Sequence, residues 1–179
     1  MKILIDTCVL YPTVMREIVL GVARTGACQP VWSPRILEEW ARAAIRLGPE
    51  GEAQARSEIA LLRAAWPGCE VTPPEALIAR LWLPDENDIH VLAAAVSASA
   101  DAVMTLNAKD FPRGILAEEG LERVDPDSWL MTVWQDNPEA VQAAAGDVLQ
   151  TARRLSGKDW AMRPLLKKAR LPRLAKALG

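Results

Sequence analysis

The sequence predicts an α/β fold: a parallel central sheet in the first two thirds of the chain and a helical extension behind it. Three observations predict it. Short apolar runs alternate with helix-period segments as far as about Val124. Carboxylates stand where those runs end or where helices begin, the edge at which parallel sheets gather functional groups. From Asp127 onward the pattern is helical only. The chain of 179 residues is long enough for one substantial core. The expected division is residues 1–125 as one domain and 126–179 as the extension.

The elements follow in order. Lys2 to Ile5 is a short apolar run that ends in Asp6-Thr7, read as a buried first strand with a carboxylate at its end. Pro12-Thr13 opens a helix from Val14 to about Ala23, which Gly26 stops. Gln29 to Trp32 reads as a second strand. Ser33-Pro34 supplies a hydroxyl cap and a proline at the first helical position, so a helix is expected over Arg35 to Leu47, with Glu38 and Glu39 on it. Gly48-Pro49 ends it. A helix over Glu50 to Trp66 follows, with Ile59, Leu62 and Trp66 at helical spacing. Cys69 to Val71 is expected to form a third strand and Pro74 to Leu81 a short helix.

After Leu83-Pro84 an acidic opening (Asp85, Glu86, Asp88) leads into an apolar helix pattern, Ile89 to Ala100. Ala102 to Leu106 then reads as a strand that ends in the polar turn Asn107 to Asp110. A helical segment near Ile115 to Glu119 and a last strand over Leu121 to Val124 complete the alternation. The extension is expected as helices over Asp127 to Gln135, Pro138 to Leu155, Arg163 to Ala169 and Pro172 to Leu178.

Composition narrows the function classes. No apolar run reaches the roughly 18 residues of a membrane helix. Asp6 interrupts the N-terminal apolar segment, which argues against a signal peptide, so a cytoplasmic protein with no membrane partner is expected. The three cysteines (Cys8, Cys28, Cys69) are widely spaced and the only histidine is His90, which excludes a tetrahedral zinc site and leaves little for a nucleophile–histidine hydrolase. The seven tryptophans read as core rather than as a base-stacking platform. Charge is uneven. Thr151 to Gly179 carries nine basic residues and one acidic, net +8, while the rest of the chain carries −10. A basic tail on an acidic body suits contact with a polyanion or an acidic partner.

Four separate segments place acids near strand ends or helix starts: Asp6, then Glu38 or Glu39, then Asp85 or Asp88, then Asp110. If they converge, they repel one another and raise each other's pKa, a cost that a divalent cation removes. All-oxygen ligation favours Mg²⁺ or Mn²⁺, ions suited to phosphoryl chemistry.

In this order the motifs resemble those of PIN-domain ribonucleases, in particular VapC-type toxins. Ile3-Leu-Ile-Asp6-Thr7 resembles the first strand with its metal-binding Asp, and Ser33-Pro-Arg-Ile-Leu-Glu-Glu39-Trp40 the segment with the second acid. Asp85-Glu-Asn-Asp88-Ile-His90 resembles the third, and Thr105-Leu-Asn107-Ala-Lys-Asp110-Phe111 the fourth. The resemblance implies a three-layer α/β/α domain and a metal-dependent endoribonuclease. It implies Asp6, Glu39, Asp88 and Asp110 as ligands of Mg²⁺ or Mn²⁺, with Glu38 in reserve for Glu39 and with Thr105 and Asn107 orienting water or substrate. Many relatives carry an acid where Asn107 stands. RNA is the implied substrate and a cognate antitoxin the implied partner. The basic tail, or the arginines and lysines of a second copy in a homodimer, would contact phosphates. Two other enzyme classes fit less well. A haloacid-dehalogenase-type phosphatase needs an Asp where Cys8 stands, and a receiver domain needs acids before a strand-end Asp that the early chain lacks. The non-enzyme rival is a PIN-like module that only binds RNA or a protein.

Overall fold

A computed structural model describes all 179 residues, which group into two compact units. The first unit comprises Met1–Tyr11 and Gln29–Arg123, the second Pro12–Cys28 and Val124–Gly179.

The first unit is built on a four-stranded, all-parallel sheet: β1 (Lys2–Ile5), β2 (Gln29–Val31), β3 (Ala102–Met104) and β4 (Glu122–Val124), in the order β2-β1-β3-β4. The strands are short and apolar because they are covered on both faces. Ile3, Leu4 and Ile5 are fully buried, as are Ala102, Val103 and Met104. Each large aliphatic side chain so buried contributes about 1.5–3 kcal/mol. In the register, Ile5 pairs with Met104 and Leu4 with Val31, and the backbone N–H of Asp6 donates to Met104 O at 3.1 Å. The residues that leave the C-terminal ends of β1 and β3 are therefore neighbours.

Helices α1 (Thr7–Leu10) and α3 (Pro34–Ala43) pack against each other, and α4 (Gly51–Ala65) packs on α3. Ser33 caps α3 as expected, its hydroxyl accepting from Ile36 N, and Pro34 occupies the first helical position. The α-helix ends at Ala43 and continues as a 3₁₀ turn, Ala44–Leu47. Helix α5 (Glu75–Arg80) packs on α6 (Ile89–Ser97), which lies on β1 and β3. Val91 to Ala95 are all fully buried, so the near-continuous apolar run of α6 is a helix with no solvent face there. A short helix, α7 (Arg113–Glu118), leads into β4.

Two expectations are corrected, and one element was not foreseen. Cys69 to Val71 forms no strand but a single parallel bridge, Trp32 to Glu70, because Pro73 and Pro74 follow at once and cannot extend a ladder. The strand expected to run to Leu106 stops at Met104, where the Thr105 hydroxyl accepts the Asn107 N–H and turns the chain. Helix α1 was not expected; its four residues are too short to show a period. Of the tryptophans, Trp32, Trp40 and Trp129 are buried, whereas Trp82 is exposed.

The second unit is helical: α2 (Thr13–Val22), α8 (Pro126–Asp136), α9 (Pro138–Ser156), α10 (Met162–Lys168) and α11 (Pro172–Leu178). Helix α2 packs on α8 and α9. The approach to α9 is close: a Cβ on Gly21 would lie 3.1 Å from the Ala144 Cβ. Helix α2 ends in a π turn, Ala23–Ala27, in which Gly26 takes φ +89°, the left-handed geometry that glycine adopts without strain. No helix of the chain is long and apolar enough to cross a membrane.

Helix α11 is held at its start by Asp127 on α8. This buried carboxylate accepts from Arg173 N at 2.8 Å and from Leu174 N at 3.0 Å. Asp127→Ala leaves those amides unpaired and is expected to lower stability by about 1–3 kcal/mol in urea unfolding. Hydrogen exchange at Arg173 and Leu174 should accelerate first; unchanged protection there would refute the capping role.

Candidate metal centre

The C-terminal edge of the sheet carries the acids. Asp6 follows β1 directly and is 7 % exposed. It caps α1, with Oδ1 accepting from Thr7 N at 2.7 Å. Its Oδ2 accepts from the Thr105 hydroxyl at 2.7 Å and from the Cys8 thiol at 3.2 Å. A buried carboxylate is tolerable when hydrogen-bonded in this way. Cys8 in turn accepts the Leu106 N–H at 3.3 Å. Burial, and then the charge of Asp6, pushes the Cys8 thiol up to about 12, so it stays protonated and donates.

Asp88 ends a 3₁₀ turn, Glu86–Asp88, at the start of α6. A helix that returns antiparallel to the strands brings its N-terminus to the edge where the strands end, which carries Asp88 toward Asp6. Asp85 caps that turn, its Oδ1 accepting from both the backbone N–H and the side-chain amide of Asn87. Asp110 stands in the turn after β3. Asp85, Asp88 and Asp110 each present a carboxylate oxygen within 4.8 Å of the other two, and all three are half-buried. The Asn107 amide donates to Asp88 Oδ2 at 3.3 Å and to Asp110 Oδ2 at 2.8 Å.

The Asp88 carboxyl is pushed up from 3.8 to about 6, by burial first and then by the charges of Asp6, Asp85 and Asp110. The four aspartates therefore act on one another electrostatically. Asp6 lies outside the 4.8 Å set but within reach of it.

Glu39 and Glu38 are adjacent on α3 and differ in role. Glu38 pairs with Arg42 at 3.1 Å and with Arg56 on α4 at 2.9 Å, as a surface ion pair that holds its carboxyl down near 2. Glu39 points the other way. Its Oε2 accepts from the Thr7 hydroxyl at 3.1 Å, and its Oε1 lies 2.7 Å from His90 Nε2 and 3.6 Å from Arg35 Nε. Burial favours the protonated form of Glu39, but the contacts with His90, Thr7 and Arg35 outweigh it and lower the pKa. Glu39 is not in the 4.8 Å set. A cleft of about 590 Å³ opens beside it and is lined by Pro34, Arg35, Glu38, Glu39, Arg42 and Arg63.

Among the residues named from the sequence, Asp88 and Asp110 are thus in the close cluster and Asn107 is bonded to both. Thr105 is bonded to Asp6, and Glu39 is bonded to the residue after Asp6. Asp85 belongs to the cluster together with Asp88 rather than as its alternative. The acidic spacing was a visible signal for Asp85; nothing in the sequence pointed to Cys8 or to the His90–Glu39 contact.

The donor set fits a divalent cation. It offers hard oxygen ligands only, part-buried, and burial followed by mutual repulsion pushes the Asp88 carboxyl up to about 6. Bound there, such an ion supplies activation of a water and offset of charge on a phosphate. A family model described as PIN domain matches residues 2–109, more than half of the chain. No curated protein and no solved structure gives a significant match.

The raised Asp88 carboxyl makes stability depend on pH. The native state holds that proton to higher pH than the unfolded chain does, so this contribution is complete below about 4 and lost as pH rises through about 6. Without metal, Asp88→Asn should stabilise the protein near pH 7 by about 1–2 kcal/mol, a figure reduced for the solvent screening of a half-buried group. It should make little difference at pH 4. Mn²⁺ should raise Tm of the wild type near pH 7 and leave it unchanged at pH 4; equal Mn²⁺ shifts at both pH values would count against the site.

Proposed function

The chain belongs to the PIN-domain family, whose members are in general metal-dependent nucleases, and from that premise we propose that it is a Mg²⁺- or Mn²⁺-dependent endoribonuclease. We read it as the VapC-type toxin of a toxin–antitoxin pair, acting in the cytoplasm. The observation that carries the nuclease reading is the convergence of Asp85, Asp88 and Asp110 at the sheet edge, close enough to Asp6 for its charge to raise the Asp88 carboxyl.

Asp6, Asp88 and Asp110 would hold the cation, Asp85 would add a fourth oxygen donor, and Glu39 would complete the surround. Bound there, the ion would supply charge offset at the scissile phosphate and an activated water. Thr105 fixes the Asp6 carboxylate by its 2.7 Å hydrogen bond. The Asn107 amide, already shared between Asp88 and Asp110, would orient those two carboxylates and a water between them. An acidic centre repels RNA, so cationic groups must draw the substrate in. Arg35, Arg42 and Arg63 line the cleft beside Glu39, where phosphates would compete with Glu39, Glu38 and Glu70 for them; the basic residues of the tail are a further source of positive charge. The antitoxin is expected to cover the acidic centre, and a homodimer would add a second set of cationic side chains.

A second reading has one observation in its favour. Asn107 is neutral and donates its amide hydrogens to two of the carboxylates, which partly relieves their repulsion without a metal. On that reading the domain binds RNA or a protein and does not cleave.

Incubation of the purified chain with structured RNA and Mn²⁺ separates the two. Asp6→Asn and Asp88→Asn should each reduce cleavage by about 100-fold or more, as should a chelator. Cleavage that persists unchanged in both variants would end the nuclease reading. RNA retained on a gel without cleavage by the wild type would favour the binding module.

A further inference from the structure

His90 is the only histidine of the chain, and it is 3 % exposed on the first turn of α6. The residues that follow it, Val91 to Ala95, are fully buried. Neither ring nitrogen makes an aligned hydrogen bond, and Nε2 lies 2.7 Å from Glu39 Oε1 as a close contact. An unsatisfied polar atom in such a place costs about 1–3 kcal/mol. An aliphatic side chain would spare the fold that cost, so packing alone does not account for an imidazole here.

Its partner is bracketed by the metal centre. Oε2 of Glu39 accepts from the hydroxyl of Thr7, the residue after Asp6, and Oε1 lies 2.7 Å from Nε2 of His90, two residues after Asp88. Both carboxylate oxygens of Glu39 are thus tied to the two segments that bring the principal aspartates. With His90 removed, the cation beside Oε1 is Arg35, half-exposed at 3.6 Å. An unopposed Arg35 would draw the carboxylate outward, away from the sheet edge.

We propose that His90 is a positioning residue that holds Glu39 against the sheet edge, in the orientation from which it serves the metal centre. The proposal rests on the nuclease reading. Groups that orient metal-binding carboxylates typically change metal affinity by about 10–100-fold when removed.

The test is Mn²⁺ binding to the full chain without RNA, read by the electron paramagnetic resonance of free Mn²⁺. His90→Leu keeps the volume and removes the contact; it should weaken Mn²⁺ binding about tenfold or more. His90→Gln places an amide N–H near the position of Nε2 and should bind within about threefold of the wild type, whereas His90→Asn, too short to reach Glu39, should behave like His90→Leu. In the Glu39→Gln background, adding His90→Leu should cause no further loss, because the two residues act as one unit. Wild-type affinity in His90→Leu would overturn the proposal, as would additive losses in the double variant. If His90→Leu does not fold, equal affinities for the Gln and Asn variants overturn it instead. The nuclease reading fails separately, if Asp88→Asn binds Mn²⁺ and cleaves RNA as the wild type does.

Discussion

The pairing of β1 with β3 in parallel register is the constraint on which the candidate centre depends. Ile5 stands beside Met104, so Asp6 and Thr105 emerge side by side, 99 positions apart in the chain. The Thr105 hydroxyl then closes on Asp6 at 2.7 Å, and the same hydroxyl accepts the Asn107 N–H that turns the chain toward Asp110. Strand side chains alternate between faces, so a slip of one residue would point Asp6 into the opposite layer and dissolve the site. Ile3, Leu4 and Ile5 are fully buried in this register.

On that frame the first unit tolerates an electrostatic conflict. Asp6 is satisfied by three donors and rests easily in its buried position. Asp85, Asp88 and Asp110 are less well served, and Asp88 carries the consequence as a raised carboxyl. Local conflicts of this sort are concentrated at functional sites, where the rest of the fold sustains them. The Asn107 amide moderates the conflict without abolishing it. It donates to one oxygen each of Asp88 and Asp110.

Much of this was legible in sequence. The strand end marked by Asp6, the Ser33-Pro34 start of α3 and the acidic start of α6 are all local signals, and each lies where the pattern put it. The failures were also local in cause. Helix α1 is a single turn, β3 is shortened by one side-chain hydrogen bond, and prolines reduce the Cys69 region to a bridge. The packing of α2 on α8 and α9 had no such signal, because it joins segments more than a hundred residues apart.

By itself the sequence determined most of the elements, their order, and which of their ends carry acids, because caps, turns and hydrophobic periods act within a few residues. The tertiary structure alone decided which acids meet. It set Asp85 with Asp88 and Asp110, turned Glu38 to Arg56 and Glu39 to Thr7 and His90, and joined Asp6 to Thr105. Those choices follow from strand register and from the direction in which each side chain leaves its helix, and neither is written in the spacing of residues along a single segment.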